Sequence, residues 1–277
     1  SCQLILLEIN RLSFLINIRN VLSLYIIYRT IPYLMNFLQM INSNAQENSC
    51  NQCLTLDCFI KKNCSEDYLT IISNAKETSF YRQNQYIAYE GNTVLGLFFI
   101  QSGKAKIISK GLAGKPQVIR LTKKGDIIGH RGYGREKYPI SAIAIEESNI
   151  CLIDNETIFK AFMDNPKLTY ELMIYYSNEL RSSEAKIKNQ AQMNVREKVA
   201  DALLYYNSLF NESHNYPFLI ELNRQDLSAL AGINSEQLSR VLSDFKKENV
   251  IILSKNEIAI NNHDYFIKIV SPFGVTN

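Results

Sequence analysis

From residue 66 to 160 the apolar residues come in runs of four to six, broken by turn signals. Glu90-Gly91-Asn92, Ser102-Gly103-Lys104, Gly111 to Gly114, Lys124-Gly125-Asp126 and Gly132 to Gly134 separate Leu97-Phe98-Phe99-Ile100, Lys106-Ile107-Ile108, Val118-Ile119-Arg120-Leu121 and Ile140 to Ile145. Short strands at intervals of roughly ten residues predict a β-sandwich or barrel. The period then changes. Asp164-Asn165-Pro166 offers a capping residue and then a proline suited to a first helical turn, and the helical pattern carries on to Gln192. Leu168, Leu172, Tyr176, Leu180, Ile187 and Ala191 form a stripe that buries one face, with Lys186, Lys188, Gln190 and Gln192 on the other side. So long a helix beside a small barrel either packs on that barrel or pairs with its twin, and pairing is the expectation.

The last eighty or so residues read as helices and a hairpin. Val195 to Phe210 is helical, with Val199, Ala202, Leu203 and Tyr206 on one face. Asn223 caps a helix over Arg224 to Ala231. Gly232-Ile233-Asn234 makes a tight turn, and Asn234 caps a second helix from Ser235 to near Glu248, with Gln237 at the capping-box position. Val250 to Leu253 and Ile258 to Ile260 form a hairpin across Ser254 to Glu257. Two short helices joined by a glycine-containing turn are a helix-turn-helix, and the hairpin is its wing.

In such a motif the start of the second helix reads base edges in the major groove. Arg240 suits guanine O6 and N7, and Glu236 suits the cytosine amino group. Ser235, Gln237 and Ser239 reach bases or phosphates, while Arg224, Lys246, Lys247 and Lys255 reach phosphates, which orient without specifying. Charge alters this picture only locally. The whole chain of 277 residues carries a net +3, but residues 194–277 hold 8 Lys and Arg against 10 Asp and Glu. A DNA-binding segment of net charge −2 depends on a local basic patch.

Composition adds boundaries. At 46% hydrophobic and 21% charged residues, the chain is an ordinary globular protein rather than a disordered or disulfide-dense one. Residues 1–39 stand apart. They are rich in Ile and Leu but interrupted by Arg11, Arg19 and Arg29, whereas a membrane span needs about 20 nearly uncharged apolar residues. The expectation is translated upstream sequence with the start at Met40 or Met35; an amphipathic helix on the surface or lying on a membrane is the alternative. The chain is therefore divided into this extension (1–39), a cysteine-rich segment (40–65), a strand-rich domain (66–163), the long helix (164–193) and the DNA-binding segment (194–277).

Cys50, Cys53, Cys58 and Cys64 are separated by two, four and five residues, and Cys2 and Cys151 complete the six. Without a secretion signal, a metal or redox site is favoured over a disulfide framework. Four thiolates close a zinc site or hold an iron–sulfur cluster; thiols without any ligand are the plain alternative. A thiol–disulfide enzyme built on Cys50 and Cys53 lacks the preceding strand it needs.

Together these residues resemble the Crp/Fnr family of bacterial transcription regulators. The resemblance runs from Cys50 to the C-terminus. It is carried by Leu97 to Lys104, by Gly125-Asp126-Ile127-Ile128-Gly129, by the long helix and by Leu222 to Arg240. It implies an α+β chain with an N-terminal β-roll sensor of the cyclic-nucleotide-binding type, a dimerisation helix and a C-terminal winged helix-turn-helix. It also implies a cytoplasmic homodimer on double-stranded DNA, with RNA polymerase as partner and no membrane. The family's cyclic-AMP receptors carry Gly-Glu and later Arg-Ser-Ala or Arg-Thr-Ala. This chain has Gly129-His130-Arg131 and Ile140-Ser141-Ala142. Gly129, His130, Arg131, Ser141 and Ala142 are thus the pocket candidates, but without a bidentate arginine at 140 cyclic AMP is not the expected ligand; Arg131 and Arg135 are the available substitutes.

The FNR-like branch of the family holds a [4Fe–4S] cluster with an N-terminal cysteine group and one barrel cysteine. Cys50, Cys53, Cys58 and Cys151 resemble that set, with Cys64 as a substitute ligand and a second gap one residue shorter than the pattern. Zinc or no metal remain alternatives. Glu236, Ser239 and Arg240 match the branch's Glu-x-x-Ser-Arg, which implies an inverted repeat of TTGAT-like half-sites. A regulator answering a cyclic nucleotide or another small molecule is the second reading, and a Cys-x-x-Cys redox protein the third.

Overall fold

The computed structural model describes residues 49–111, 114–254 and 257–274. Cys2, Lys255 and the extension 1–39 lie outside the described residues. The chain divides into two compact units, Ser1–Gln52 and Cys53–Asn277. Of the first, residues 49–52 form a turn containing Cys50.

Two short helices lead into the strands: α1 (Phe59–Asn63) and α2 (Glu66–Ala75). The strand-rich stretch expected from residue 66 therefore opens as a helix. Ser65 accepts from the Tyr68 backbone N–H, Glu66 and Asp67 favour the positive helix start, and Leu69 and Ile72 bury one side. Eight strands follow: β1 (Glu77–Tyr81), β2 (Tyr86–Ala88), β3 (Gly96–Ser102), β4 (Ala105–Lys110), β5 (Pro116–Thr122), β6 (Ile127–Ile128), β7 (Ser141–Ala144) and β8 (Ser148–Asp154). They form two antiparallel sheets, ordered β1-β8-β3-β6 and β2-β7-β4-β5. Phe98, Ile100 and Ile150 of one sheet meet Ile87, Ala105, Ile107, Ala142 and Ala144 of the other in a common core. The β3–β4 turn needs Gly103. Its φ is +92°, and a Cβ there would fall 2.1 Å from the Ser148 hydroxyl.

The sheets end in α3 (Asn155–Asp164), a second helix that the strand pattern hid. Asp154 caps it, accepting from the backbone N–H groups of Glu156 and Thr157 at 2.9 Å. The long helix α4 (Pro166–Gln192) follows. Its start departs from expectation. Asn165 does not cap α4; its side-chain amide donates to the Ala161 carbonyl at 2.9 Å and so closes the end of α3.

The stripe on α4 also divides. Leu168 and Leu172 are buried, whereas Tyr176, Leu180, Ile187 and Ala191 are exposed. Residues four apart advance by about 40° around a helix of 3.6 residues per turn, so the row drifts from the inner to the outer side. Lys186 and Gln190, assigned to the outer side, turn inward and donate to the carbonyls of Ile119 (2.8 Å) and Ala231 (3.2 Å).

The C-terminal part comprises α5 (Val195–Phe210), β9 (Phe218–Ile220), α6 (Arg224–Ala231), α7 (Ser235–Lys247), β10 (Ile251–Leu253), β11 (Ile258–Ile260) and α8 (His263–Val270). The expected two-stranded wing has a third strand, β9, in the order β10-β11-β9. Phe218-Leu219-Ile220 is too short a run to announce itself, and it pairs only because β11 lies beside it.

Candidate nucleic-acid interface and sensor

The helix-turn-helix is built from local instructions. Asn223 accepts from the Asp226 N–H at 2.8 Å and starts α6. Gly232, at φ +67°, ends it in the left-handed conformation that glycine adopts without strain. A Cβ there would also meet the Gln190 carboxamide at 2.8 Å. Asn234 and Gln237 form a reciprocal capping box at the start of α7. Leu238, Val241, Leu242 and Phe245 then bury one side of α7.

The opposite side of α7 points outward. Ser235, Glu236 and Arg240 are exposed and Ser239 is half-buried. Arg240 is held over the helix surface by Glu236, one turn earlier. Ser239 donates to the Ser235 carbonyl at 2.9 Å. Gln237 is engaged in the capping box, so its side chain serves the helix start. Lys246 and Lys247 are exposed in the last turn, where cations suit the helix end, and Lys247 pairs with Asp244 at 3.1 Å. Arg224 is exposed at the start of α6, its guanidinium 3.5 Å from the Ser254 carbonyl. Of the helix-borne candidates, Arg224, Ser235, Glu236, Arg240, Lys246 and Lys247 are exposed and Gln237 and Ser239 are half-buried, while Lys255 lies outside the described residues.

Behind α7 a second cluster supports it. The Arg196 guanidinium lies 4.5 Å from the centre of the Phe245 ring, bonds the Glu248 carboxylate at 2.6 Å and meets Tyr265. These residues tie α5, the end of α7 and α8 together. No sequence spacing announced the cluster, because its members are 52 and 69 positions from Arg196.

The pocket candidates fall differently. Gly129 adopts φ +86° ahead of a 3₁₀ turn over His130–Gly132. His130 is buried, at 2% exposure, and among the described residues neither ring nitrogen makes a hydrogen bond. Its Nε2 stands 3.7 Å from the Glu179 carboxylate of α4, and its ring meets the Tyr175 and Tyr176 rings edge-on. Arg131 (3.1 Å) and Arg120 of β5 (3.0 Å) converge on the same Glu179 oxygen. Arg120 also donates to the Tyr175 hydroxyl at 2.6 Å and to the Ile127 carbonyl at 3.0 Å.

Burial pushes the Glu179 carboxyl up, but His130, Arg120 and Arg131 outweigh it and hold the group at about 2. Burial lowers the His130 imidazole and raises the Tyr175 hydroxyl to about 12. Sequence reading singled out neither Arg120 nor Glu179 as a pair. They lie 59 positions apart, and only the docking of α4 on β5 joins them. Ser141 accepts from the Glu90 N–H at 2.9 Å, and Ala142 is fully buried in β7. Ile140, where the receptors have arginine, is a core residue. A separate cavity of about 550 Å³ lies among Ile87, Tyr89, Leu95, Phe98, Lys137 and Tyr138, and none of the five candidates lines it.

Among the described residues no three Cys, His, Asp or Glu side chains gather as a metal site. Cys53 lies 3.9 Å from the Gln101 amide, Cys58 and Cys64 flank α1, and buried Cys151 on β8 stands 3.7 Å from the Lys76 ammonium and 3.5 Å from the Thr78 hydroxyl. As placed, Cys53, Cys58, Cys64 and Cys151 do not fit a four-thiolate centre.

Comparison with known proteins agrees with the division of labour. A cyclic nucleotide-binding domain matches residues 78–165 and a Crp-like helix-turn-helix domain matches residues 197–269. The anaerobic regulatory protein of Bacillus subtilis is 25% identical over 206 residues, covering 73% of this chain and 87% of its own. The fumarate and nitrate reduction regulatory protein of Escherichia coli K12 is 26% identical over 216 residues, covering 75% and 86%. The fold is shared with FixK2 from Bradyrhizobium japonicum at a TM-score of 0.61 and 18% identity, over 70% of this chain and 96% of that one. A Crp/Fnr-family regulator from Thermus thermophilus gives 0.62 and 16%, over 72% of this chain and 100% of that one. A cyclic-nucleotide-type barrel, a long helix and a Crp-like helix-turn-helix follow one another in a single chain, and the chain belongs to the Crp/Fnr family of DNA-binding transcription regulators.

Proposed function

We propose that the protein is a homodimeric regulator that reads inverted-repeat DNA with α7 and answers oxygen or redox state. The observation that carries the DNA reading is the outward side of α7, where Glu236, Ser239 and Arg240 stand over a fully buried apolar row. Arg240 offers guanine two parallel hydrogen bonds and Glu236 accepts from cytosine. Exposed Met173, Leu180 and Ile187, seven residues apart on α4, supply an apolar seam for the second copy. Fluorescence anisotropy with a duplex carrying two TTGAT-like half-sites tests it. Tighter binding than to a scrambled duplex is expected, and equal binding would refute it. Sedimentation at micromolar concentration tests the dimer.

The names of two relatives, an anaerobic regulatory protein and a fumarate and nitrate reduction regulatory protein, and the group Cys50, Cys53, Cys58 and Cys151 support a redox signal. The described thiol placement speaks against assigning ligands. Iron and sulfide analysis of protein made without oxygen decides: four of each per chain establishes the cluster, and none removes it. A small-molecule signal is the second reading, favoured by the match of the barrel to a cyclic nucleotide-binding domain. Against cyclic AMP stands the engagement of Arg120 and Arg131 by Glu179. Titration calorimetry with cyclic AMP and cyclic GMP separates the two.

A further inference from the structure

The outer side of the β2-β7-β4-β5 sheet is not a surface. Ile107 of β4 faces the barrel core, while Ile108, Val118, Leu121, Ile143 and Ile145 join the core of α5, α6 and α7. Lys106 of β4 is buried there, its side chain 9% exposed, and it pairs with Asp226 in the first turn of α6, itself 17% exposed. Gln117 of β5 donates to the Ala229 carbonyl and Gln190 of α4 to the Ala231 carbonyl, both in the last turn of α6. An eight-residue helix about 12 Å long is thus gripped at both ends by three different elements. Three anchors that do not share a line remove its freedom to tilt and to roll.

We propose that Lys106 and Asp226 set the spacing between half-sites that the regulator accepts. The inference rests on the reading that two copies present α7 to one duplex. Leu227, Leu230 and Ala231 of α6 and Leu238, Val241 and Leu242 of α7 share one core, so the attitude of α6 on its barrel fixes the attitude of α7. The seam on α4 fixes the axis between copies, and Gln190 ties α4 itself to α6. The distance between the two reading helices then follows from the angle at which each α6 is held.

A dimer reads two half-sites about one helical turn, roughly 34 Å, apart, and a spacer changed by one base pair both shifts and rotates the second site. Only a stiff connection turns that change into lost affinity. Among the three anchors the ion pair is the charge-assisted one and is nearly shut from water, so its geometry is the most restrictive. The grip is not a mask. Glu236, Arg240 and Arg224 stay exposed while it is closed, and α7 itself rests on α5, α6 and the wing.

The test uses the full chain and a series of duplexes whose two half-sites are separated by spacers changing one base pair at a time, plus a duplex with a single half-site. The unsubstituted protein is expected to prefer one spacer over its neighbours by about tenfold or more. Asp226→Asn, which preserves size and an acceptor, and Lys106→Met are expected to keep single-half-site affinity within about threefold while the preference among spacers falls below about threefold. Exchanging the charges, Lys106→Asp with Asp226→Lys, is expected to restore it. Thermal melts confirm that each variant is folded. An unchanged spacer profile in folded Asp226→Asn and Lys106→Met proteins would overturn the inference, and so would an equal loss on the single half-site. If the unsubstituted protein binds none of these duplexes better than scrambled DNA, the proposed function itself is overturned and the inference falls with it.

Discussion

Helices α4 and α7 bury opposite kinds of surface. On α7 the inner side is Leu238, Val241, Leu242 and Phe245, and the outer side is Glu236, Ser239 and Arg240. On α4, beyond its first two turns, the inner side is Tyr175, Glu179, Lys186, Asn189 and Gln190, and the outer side carries Met173, Leu180 and Ile187, at 60%, 62% and 71% exposure. A helix with its apolar row inside is finished by its own chain, and its polar side is ready for a polar partner such as DNA. A helix that keeps charged groups inside and leaves a heptad row of large apolar residues outside needs an apolar partner, and a second copy of the same helix offers the same row.

The strongest way to break the comparison is to make both outer sides polar. Leu180→Glu with Ile187→Glu is expected to yield a folded monomer, because neither residue contributes to the core of its own chain. Affinity for the two-half-site duplex should drop by about 100-fold or more, since the second contact is no longer intramolecular. Sedimentation and anisotropy measure both. A variant that remains dimeric would show that α4 is not the seam.

The inner side of α4 is next. Glu179→Gln leaves Arg120 and Arg131 facing a neutral amide and is expected to cost about 3 kcal/mol at pH 7, the low end for a pair that is not fully buried. The sign with pH follows from the depressed carboxyl. Its contribution is complete above the ordinary value of 4.5 and is lost as pH falls toward its value in the fold, about 2. Arg120, His130, Arg131, Tyr175, Tyr205 and Asp126 are among the charged or titratable groups around it. His130, lowered by burial, adds to the acid loss, because below its ordinary value of 6.5 the unfolded chain takes up the proton first. Urea melts between pH 7 and 3 should therefore show a steep acid loss that is shallower in Glu179→Gln. Equal slopes would deny Glu179 its role.

The same contrast explains what the sequence made legible. Everything on α6 and α7 is written within a few residues: Asn223 and Asn234 as caps, Gly232 as the stop, Gln237 in the box, and an apolar row at helical spacing. The long helix was legible as a helix, but not its facing. Its inner side is set by Arg120 and Arg131, which arrive from the barrel, so hydrophobicity alone aimed the stripe inward and Lys186 outward. The helices at 66–75 and 155–164 resemble strands in the sequence, because a ten-residue helix with two buried positions looks much like a short apolar run, even with Ser65 and Asp154 as caps. The cysteine spacing was legible as well. Where each thiol lies depends on Gln101, Lys76 and Thr78, none of which any spacing rule connects to it.

Two substitutions on α7 refine its outer side. Arg240→Ala removes a side chain whose contact within the chain is a surface pair with Glu236, worth little to stability. It is expected to weaken specific binding by about 1–3 kcal/mol and to relax preference at one base pair, with little change on random DNA. Equal losses on both would show that Arg240 meets phosphate rather than a base.

Lys247→Ala should have the smallest effect and the opposite character. The lysine sits in the last turn of α7 and pairs with Asp244 on an exposed surface. Its removal should weaken specific and random duplexes alike and reduce the slope of log affinity against log salt by about one, the signature of one fewer phosphate contact. The sign matters because the described reader is not a basic domain overall. If a net charge of −2 over residues 194–277 still supports binding, a few cations placed at the duplex must carry it, and Lys247 is one of those on the α7 edge. An unchanged salt slope would place the duplex away from the end of α7 and tilt the reading helix toward its first turn.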